Sequence, residues 1–330
     1  MVTIADVAKL AGVSKATASR AFSRPEVVST ETAQRVHSAA EKLGFVVNTA
    51  ARLLAGGKSG ILALVVPTLD NSFFTPIIAG AQESTDADGY QLTVVVHPLE
   101  TAAELPSFER LRRQVDGLIV LAPRGSDEFI RAALGSTPTV LVDREIDGIP
   151  SVIADSATAF GALVESLIAG GHRRIVYLGG PAGSWQDRQR TAAAQAAAVG
   201  SDAQVTVVGP YDSTFAAGIE ASAAVRESAP TAVVPYATAL GLGVQFAYLV
   251  EGDRPPVVSS ERAIVEALGS VDVPAIDVDG QGLGRTAAEM LLRRIAAPDE
   301  PAARVRLDVG LVLGPMRSGA GGAAEEPTRP

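Results

Sequence analysis

The chain has 330 residues, 47% of them hydrophobic, with no cysteine and with three histidines (His37, His97 and His172) far apart in sequence. A mean hydropathy of +0.23 suits two or three packed cores and excludes a disordered polypeptide. Disulfides, thiolate metal sites and cysteine nucleophiles are excluded, and the histidine spacing offers no metal-ligand pattern; neither a metal nor a cofactor is expected. Apolar runs such as 61–66 are only strand-sized, and the opening residues lack a basic segment followed by an apolar one. No membrane span and no secretory signal are therefore expected, and the protein reads as cytoplasmic.

The net charge of −9 is unevenly divided. Residues 1–60 carry eight Lys/Arg against four Asp/Glu, whereas the remaining 270 carry 20 against 33. A small basic head on a large acidic body suits contact of the head alone with a polyanion.

Three short helices are predicted in the head. Thr3 is a good N-cap, Asp6 sits in the first turn, and Ile4, Val7, Ala8 and Ala11 form one apolar stripe. After a turn at Gly12-Val13, Ser14 caps a second helix in which Ala18, Ala21 and Phe22 share one face and Lys15, Ala16, Ser19 and Arg20 another. A third helix starts near Ser29, turns Ala33, Val36, Ala40 and Leu43 inward and stops at Gly44. Two short helices joined by a tight turn and backed by a third place the second in a DNA major groove. Periodicity alone fits a plain three-helix bundle equally well.

The string itself separates the two. Residues 3–20, with Val28-Ser29-Thr30-Glu31-Thr32 and residues 43–54, closely resemble the DNA-binding head of the lac repressor (LacI/GalR) family. The resemblance implies that Lys15, Ala16 and Arg20 read base edges, Arg20 through a bidentate guanine contact and Ala16 through its methyl. It implies that Ser14, Thr17, Ser19 and Asn48 hold phosphates. Residues 49–56 correspond to the family's hinge helix, with Ala51, Arg52 and Leu54 in the minor groove and Leu54 as the wedge. Relatives usually have proline before the asparagine; here it is Val47, which leaves the hinge less restricted.

From residue 61 strand-like runs alternate with helix-length stretches, at 61–66, 91–97, 117–122, 139–143, 152–154, 174–179, 204–209 and 231–236. Near-continuous apolar strands separated by helices indicate doubly wound parallel sheets covered on both faces. The fold class is α plus α/β: a helix-turn-helix head with a hinge helix, then a core that resembles the family's two-lobed periplasmic-binding-protein-like body. Landmarks of that resemblance are Asn71-Ser72-Phe73-Phe74, Val142-Asp143-Arg144, Gly171-His172-Arg173-Arg174-Ile175, Arg190 and Leu283-Gly284. The domains are set at 1–48 (head), 49–60 (hinge and linker), 61–317 (two-lobed core) and 318–330 (a polar tail expected to be disordered).

No catalytic constellation emerges. His172 has no carboxylate or serine partner in a recognisable pattern and reads as structural. The Gly-rich stretches 179–184 and 280–284 lack the Lys-Ser/Thr of a P-loop and the context of a dinucleotide fingerprint. By position in the family, Asn71, Phe73, Phe74, Arg144, Asp155, Arg190, Tyr236 and Glu261 are expected at the effector cleft, although ordinary core packing accounts for the Phe pair nearly as well. Two departures weaken a hexose site: Ala237-Thr238 where relatives carry Asn-Asp, and Ser259-Ser260-Glu261-Arg262 where they carry Gly-(Phe/Tyr)-Asp-Asp. Each buried hydroxyl left unpaired costs about 1–3 kcal/mol. The effector is therefore expected to be sugar-like or an anion held by Arg144, Arg190 and Arg262, unless the sensor no longer responds to a ligand.

The tail has no leucine heptads, so a homodimer on two-fold double-stranded operator DNA is expected. The resemblance implies a transcriptional regulator, most often a repressor, and not an enzyme. A solute-binding module for transport is the distant alternative.

Overall fold

A computed structural model describes residues 2–23, 27–45, 58–252, 257–258, 260–267, 269 and 274–312. The head consists of α1 (Ile4–Ala11), α2 (Lys15–Ser23) and α3 (Thr30–Leu43). Each start has a side chain that meets orphan backbone groups. Asp6 reaches back to the Thr3 N–H (2.9 Å) and hydroxyl, the Ser14 hydroxyl accepts from the Thr17 N–H (3.0 Å), and Ser29 accepts from Thr32. α1 and α3 end at Gly12 and Gly44 with φ of 65° and 62°, the left-handed cap that glycine adopts without strain. Val7, Ala8, Ala11, Ala18, Ala21, Val36, Ala39 and Ala40 form the head's core, with Phe22 and Leu43 packed against it.

The body has two lobes. Lobe 1 contains β1 (Ile61–Val66), α4 (Phe74–Ala87), β2 (Gln91–Val96), a short 3-10 turn (Ala102–Glu104), α5 (Leu105–Arg112), β3 (Gly117–Leu121), α6 (Asp127–Leu134), β4 (Thr139–Val142) and β5 (Ser151–Ala154). Lobe 2 follows with α7 (Ser156–Ala169), β6 (Arg174–Leu178), α8 (Trp185–Ala197), β7 (Gln204–Val208), α9 (Phe215–Glu227), β8 (Ala232–Pro235) and α10 (Thr238–Val250). It continues through β9 (Val257–Val258), β10 (Ser260–Glu261), α11 (Arg262–Ala267) and β11 (Ala275–Asp277). The chain then returns to lobe 1 with α12 (Gly280–Ala296) and β12 (Arg304–Leu307), and ends in lobe 2 with β13 (Gly310–Val312).

Lobe 1 is a six-stranded parallel sheet in the order β12-β5-β4-β3-β1-β2, and lobe 2 a four-stranded parallel sheet, β7-β6-β8-β9, with a small third sheet, β10-β11-β13. All eight strands expected from the sequence form, most of them a residue shorter. β9 to β13 are additional: β9, β10, β11 and β13, at two or three residues, are too short to show a period, and β12 (Arg304-Val305-Arg306-Leu307) alternates charged and apolar residues instead of forming an aliphatic run. In lobe 1 the strand order reverses between β1 and β3, and in lobe 2 between β6 and β8. Both reversals open a crevice beyond the strands' carboxyl ends.

The chain crosses between the lobes three times, at 154–156, 277–280 and 307–310. The crossings lie side by side: the Asp155 N–H bonds the Leu307 carbonyl at 2.9 Å, and Asp277 pairs with Gly310 in the sheet. His172, as expected, is a buried connector, its N–H bonded to the Leu167 carbonyl and its imidazole pKa pulled down by burial.

Return helix α12 lies against α4 with almost no space between backbones. A Cβ on Gly284 would stand 1.9 Å from the Ile77 carbonyl oxygen, and one on Gly80 would stand 2.0 Å from that of Gln281. Gly284→Ala is therefore expected to force the helices apart and lower stability by about 1–3 kcal/mol, read as a fall in the urea midpoint; an unchanged midpoint would show that the pair is not tightly packed in solution.

Candidate functional site

On the head, the apolar face of α2 is consumed by packing: Ala18 and Ala21 are buried against α1 and α3. The opposite face presents Lys15, Ala16, Ser19 and Arg20, all exposed, with Ser14 exposed and Thr17 half-buried at its start. The Ser14 and Thr17 hydroxyls lie 2.9 Å apart and share one proton between them, leaving the other to donate outward. The expected phosphate contact Asn48 and the hinge residues Ala51, Arg52 and Leu54 lie outside the described residues, as does Val47.

Between the lobes, at both strand-order reversals, is a cleft of about 630 Å³ counted out to its open mouth. Six of the eight predicted effector residues, Asn71, Phe73, Phe74, Arg190, Tyr236 and Glu261, line it. Arg190 on α8 is 7% exposed. Its Nε donates to the Ser156 hydroxyl at 2.9 Å and its Nη1 to the Tyr236 carbonyl at 3.0 Å. Its guanidinium lies 4.7 Å from the Phe160 ring centre and 4.9 Å from that of Tyr236, within cation–π range of both. Tyr236 is anchored by a 3.1 Å hydrogen bond between its hydroxyl and that of Ser184. Glycine at 180 is required beneath it, because a Cβ there would come within 2.5 Å of the ring.

Two expected residues stand elsewhere. Arg144 is buried but faces away from the cleft lining: its Nη2 pairs with Asp127 at 2.6 Å and donates to the Gly125 carbonyl. Burial pulls its pKa down, with the Asp127 carboxylate opposing. Asp155 is half-buried at the start of α7, where it accepts from the Thr158 hydroxyl at 3.0 Å, and it does not line the cleft. Arg262, the third expected cation, is exposed and ion-paired with Glu266 and Asp277.

Sequence reasoning passed over Asp143, Gln186, Phe160 and Thr238, which the cleft includes. Asp143 follows the carboxyl end of β4, the place where such sheets put ligand groups; the signal was spent on its neighbour Arg144. Gln186 precedes Arg190 by one helical turn and shares its face. Asp143 is 3% exposed, and its Oδ1 accepts from the Ala154 N–H at 3.0 Å and from Gln186 Nε2 at 2.8 Å. Burial raises its pKa, against the hydrogen bonds and the Arg190 charge, which lower it. Burial raises Glu261 likewise, opposed by a hydrogen bond with Thr238 and by Arg190. Arg190 is thus the single cation among the described lining residues, facing two carboxylates.

A family profile described as "Periplasmic binding proteins and sugar binding domain of LacI family" matches residues 59–312, and one described as "Bacterial regulatory proteins, lacI family" matches residues 3–48. The chain belongs to the LacI family. Among its relatives are the maltose regulon regulatory protein MalI of Escherichia coli (strain K12), 36% identical over 195 residues, and the ribose operon repressor of Bacillus subtilis (strain 168), 34% identical over 182 residues. The matches cover 57% and 55% of this chain, and the chain spans little more than half of those relatives' length, 57% and 56%. The lac repressor dimer bound to operator and the anti-inducer ONPF aligns with a TM-score of 0.77 at 25% identity, over 96% of this chain and 98% of that one. These LacI-family relatives carry the names of regulators. Among the described residues of this member, no helix is long and apolar enough to cross a membrane, and no group of three or more His, Cys, Asp or Glu side chains is placed to hold a metal ion.

The raised pKa of Asp143 has a signed consequence. A carboxyl whose folded pKa lies above its unfolded value gives its full stabilisation below the unfolded value and loses it as pH rises through the folded one. Asp143→Asn keeps an acceptor at Oδ1 and abolishes this titration. Its melting temperature relative to the parent should therefore improve steadily from acid to neutral pH; a parallel offset at all pH values would show that Asp143 titrates normally.

Proposed function

We propose that this protein is a sequence-specific DNA-binding transcriptional regulator, acting as a repressor, whose operator affinity is set by a small molecule bound between its two lobes. The observation that carries the reading is one chain joining an exposed α2 face bearing Lys15, Ala16 and Arg20 to a two-lobed cleft built around Arg190. In this reading residues 1–48 are the DNA-binding head, 49–60 the hinge and linker, and 61–317 the sensor and dimerisation core. Lys15, Ala16 and Arg20 read base edges, Ser14, Thr17, Ser19 and Asn48 hold phosphates, and Ala51, Arg52 and Leu54 enter the minor groove. The chain works in the cytoplasm, where its operator is.

Cleft chemistry favours an uncharged, polyhydroxylated effector. Two of the three arginines that an anion would need are tied up outside the lining, and the remaining one faces Asp143 and Glu261. An anion entering there would meet two carboxylates, one buried and one half-buried; a hydroxylated ring meets acceptors in those carboxylates, donors in Asn71, Gln186 and Arg190, and apolar faces in Phe73, Phe160 and Tyr236. The carboxylates at 143 and 261 supply acceptors in place of the family groups missing at 237–238 and 259–262. The names of the relatives, a maltose regulon regulator and a ribose operon repressor, accord with this class.

A homodimer is supported by apolar side chains left exposed on lobe 2. Phe215 and Ile219 are one turn apart on α9, and Phe246, Leu249 and Val250 share a face of α10; all five are at least 39% exposed, and the Phe215 and Phe246 rings lie 5.5 Å apart. A contiguous apolar surface of this kind marks an interaction site. Effector and operator binding are then coupled reciprocally, with a typical coupling of about 1–3 kcal/mol.

The test is an in vitro selection of sheared genomic DNA on the purified protein. Enrichment of a two-fold motif supports the regulator; retention without a motif would leave only phosphate binding and overturn it. On the selected operator, Arg20→Ala should cost about 1–3 kcal/mol and relax preference at one symmetric base pair, measured by competitive binding to single-base variants.

A further inference from the structure

Arg190 dominates the cleft chemically, yet both of its hydrogen bonds stay within lobe 2, to Ser156 and Tyr236. Gln186, one turn earlier on the same helix, behaves differently. It is 3% exposed, and both of its side-chain hydrogen bonds leave lobe 2 for lobe 1: Nε2 donates to Asp143 Oδ1 at 2.8 Å and to the Ala154 carbonyl at 3.4 Å. The acceptor is fixed from its own side. Asp143 takes the Ala154 N–H on the same oxygen, and its φ of 54° holds the carboxylate through a left-handed backbone that a non-glycine residue adopts at a cost. A second approach reinforces the first: a Cβ on Gly183 of lobe 2 would stand 2.7 Å from the Arg124 carbonyl oxygen of lobe 1, so the lobes meet there backbone to backbone.

We propose that Gln186 is an inter-lobe latch, its amide clamped to Asp143 so that the sensor is closed by its own side chains before any effector binds. The inference rests on the reading of the cleft as the effector site and assigns its regulation: effector enters through a transient opening, and latch strength sets how often that opening occurs. Glutamine suits the role because it reaches across the seam and supplies a donor. Glutamate at 186 would set acceptor against acceptor in a buried place, and alanine would not reach.

The test uses the absence of cysteine in the chain. Spin labels at Ala103→Cys and Asp212→Cys, exposed positions on the rims of lobes 1 and 2, report the inter-lobe distance by pulsed dipolar spectroscopy. Labelled full-length chain is diluted into unlabelled chain, without DNA or effector. The parent and Asp143→Asn, which keeps an acceptor at Oδ1, should each show one short-distance population. Gln186→Ala and Gln186→Glu should each add a longer one, with the closed-to-open ratio falling about 10-fold, the scale of one buried hydrogen bond. A parent already spread over both distances, or Gln186 variants that match the parent, would overturn the latch. Circular dichroism checks folding, and if the alanine variant fails to fold the glutamate variant carries the test. No DNA enters the measurement, so a failed operator selection and a failed latch are separate outcomes.

Discussion

A guanidinium as deeply buried as that of Arg190 persists only if its charge and its donors are both met. Ser156 from the first turn of α7 and the backbone of Tyr236 after β8 take two of its nitrogens, the rings of Phe160 and Tyr236 cover its faces, and Asp143 and Glu261 supply opposing charge. The partners come from α7 and from the end of β8 while the arginine sits on α8, so meeting the cation fixes how these elements stand relative to one another. The carboxylates depend on it in turn: burial raises their pKa values, and the guanidinium is what opposes that rise. The polar character of the cleft is thus a property of this ensemble rather than of any one member, and the aromatic walls belong to it because they solvate the cation.

The head and the body are held together by different means. Alanines make up six of the eight buried core residues of the head, a small apolar store that leaves little surplus stability, and helix caps at Thr3, Ser14 and Ser29 make up part of it. The body owes its cohesion to aliphatic sheets covered on both faces. Charge follows the same division: all four lysines (Lys9, Lys15, Lys42 and Lys58) fall within the first 58 residues, while the rest of the chain is strongly acidic. On a polyanion the body is repelled and the head attracted, which orients the molecule during approach before any specific contact forms.

Much of this architecture was legible in the sequence because its signals are local. Caps, glycine stops and apolar stripes named α1 to α3 within a residue or two, and the aliphatic runs located eight of the parallel strands. The cleft was legible only in part. Phe73, Phe74, Arg190 and Tyr236 were found through family position, but Arg144 and Asp143 are adjacent, and nothing in the sequence says which of two neighbours at a strand end faces the crevice. That depends on the backbone turn at Asp143, where φ is 54°. Gln186 was missed for a different reason: its partners lie 43 and 32 residues away in the other lobe, a separation at which no pattern in one sequence speaks.

The three side-by-side crossings between the lobes have a mechanical consequence. A single connection would let the lobes tilt, twist and slide independently, whereas three neighbouring strands, tied to one another at Asp155–Leu307 and Asp277–Gly310, resist twist and slide and leave rotation about the line across them as the soft motion. The two-lobed body therefore has one principal coordinate. Any ligand, substitution or protonation that moves one lobe against the other would move the same angle, so the effects on the far end of the molecule should fall along one common curve, distinguishable in size and sign but not in kind.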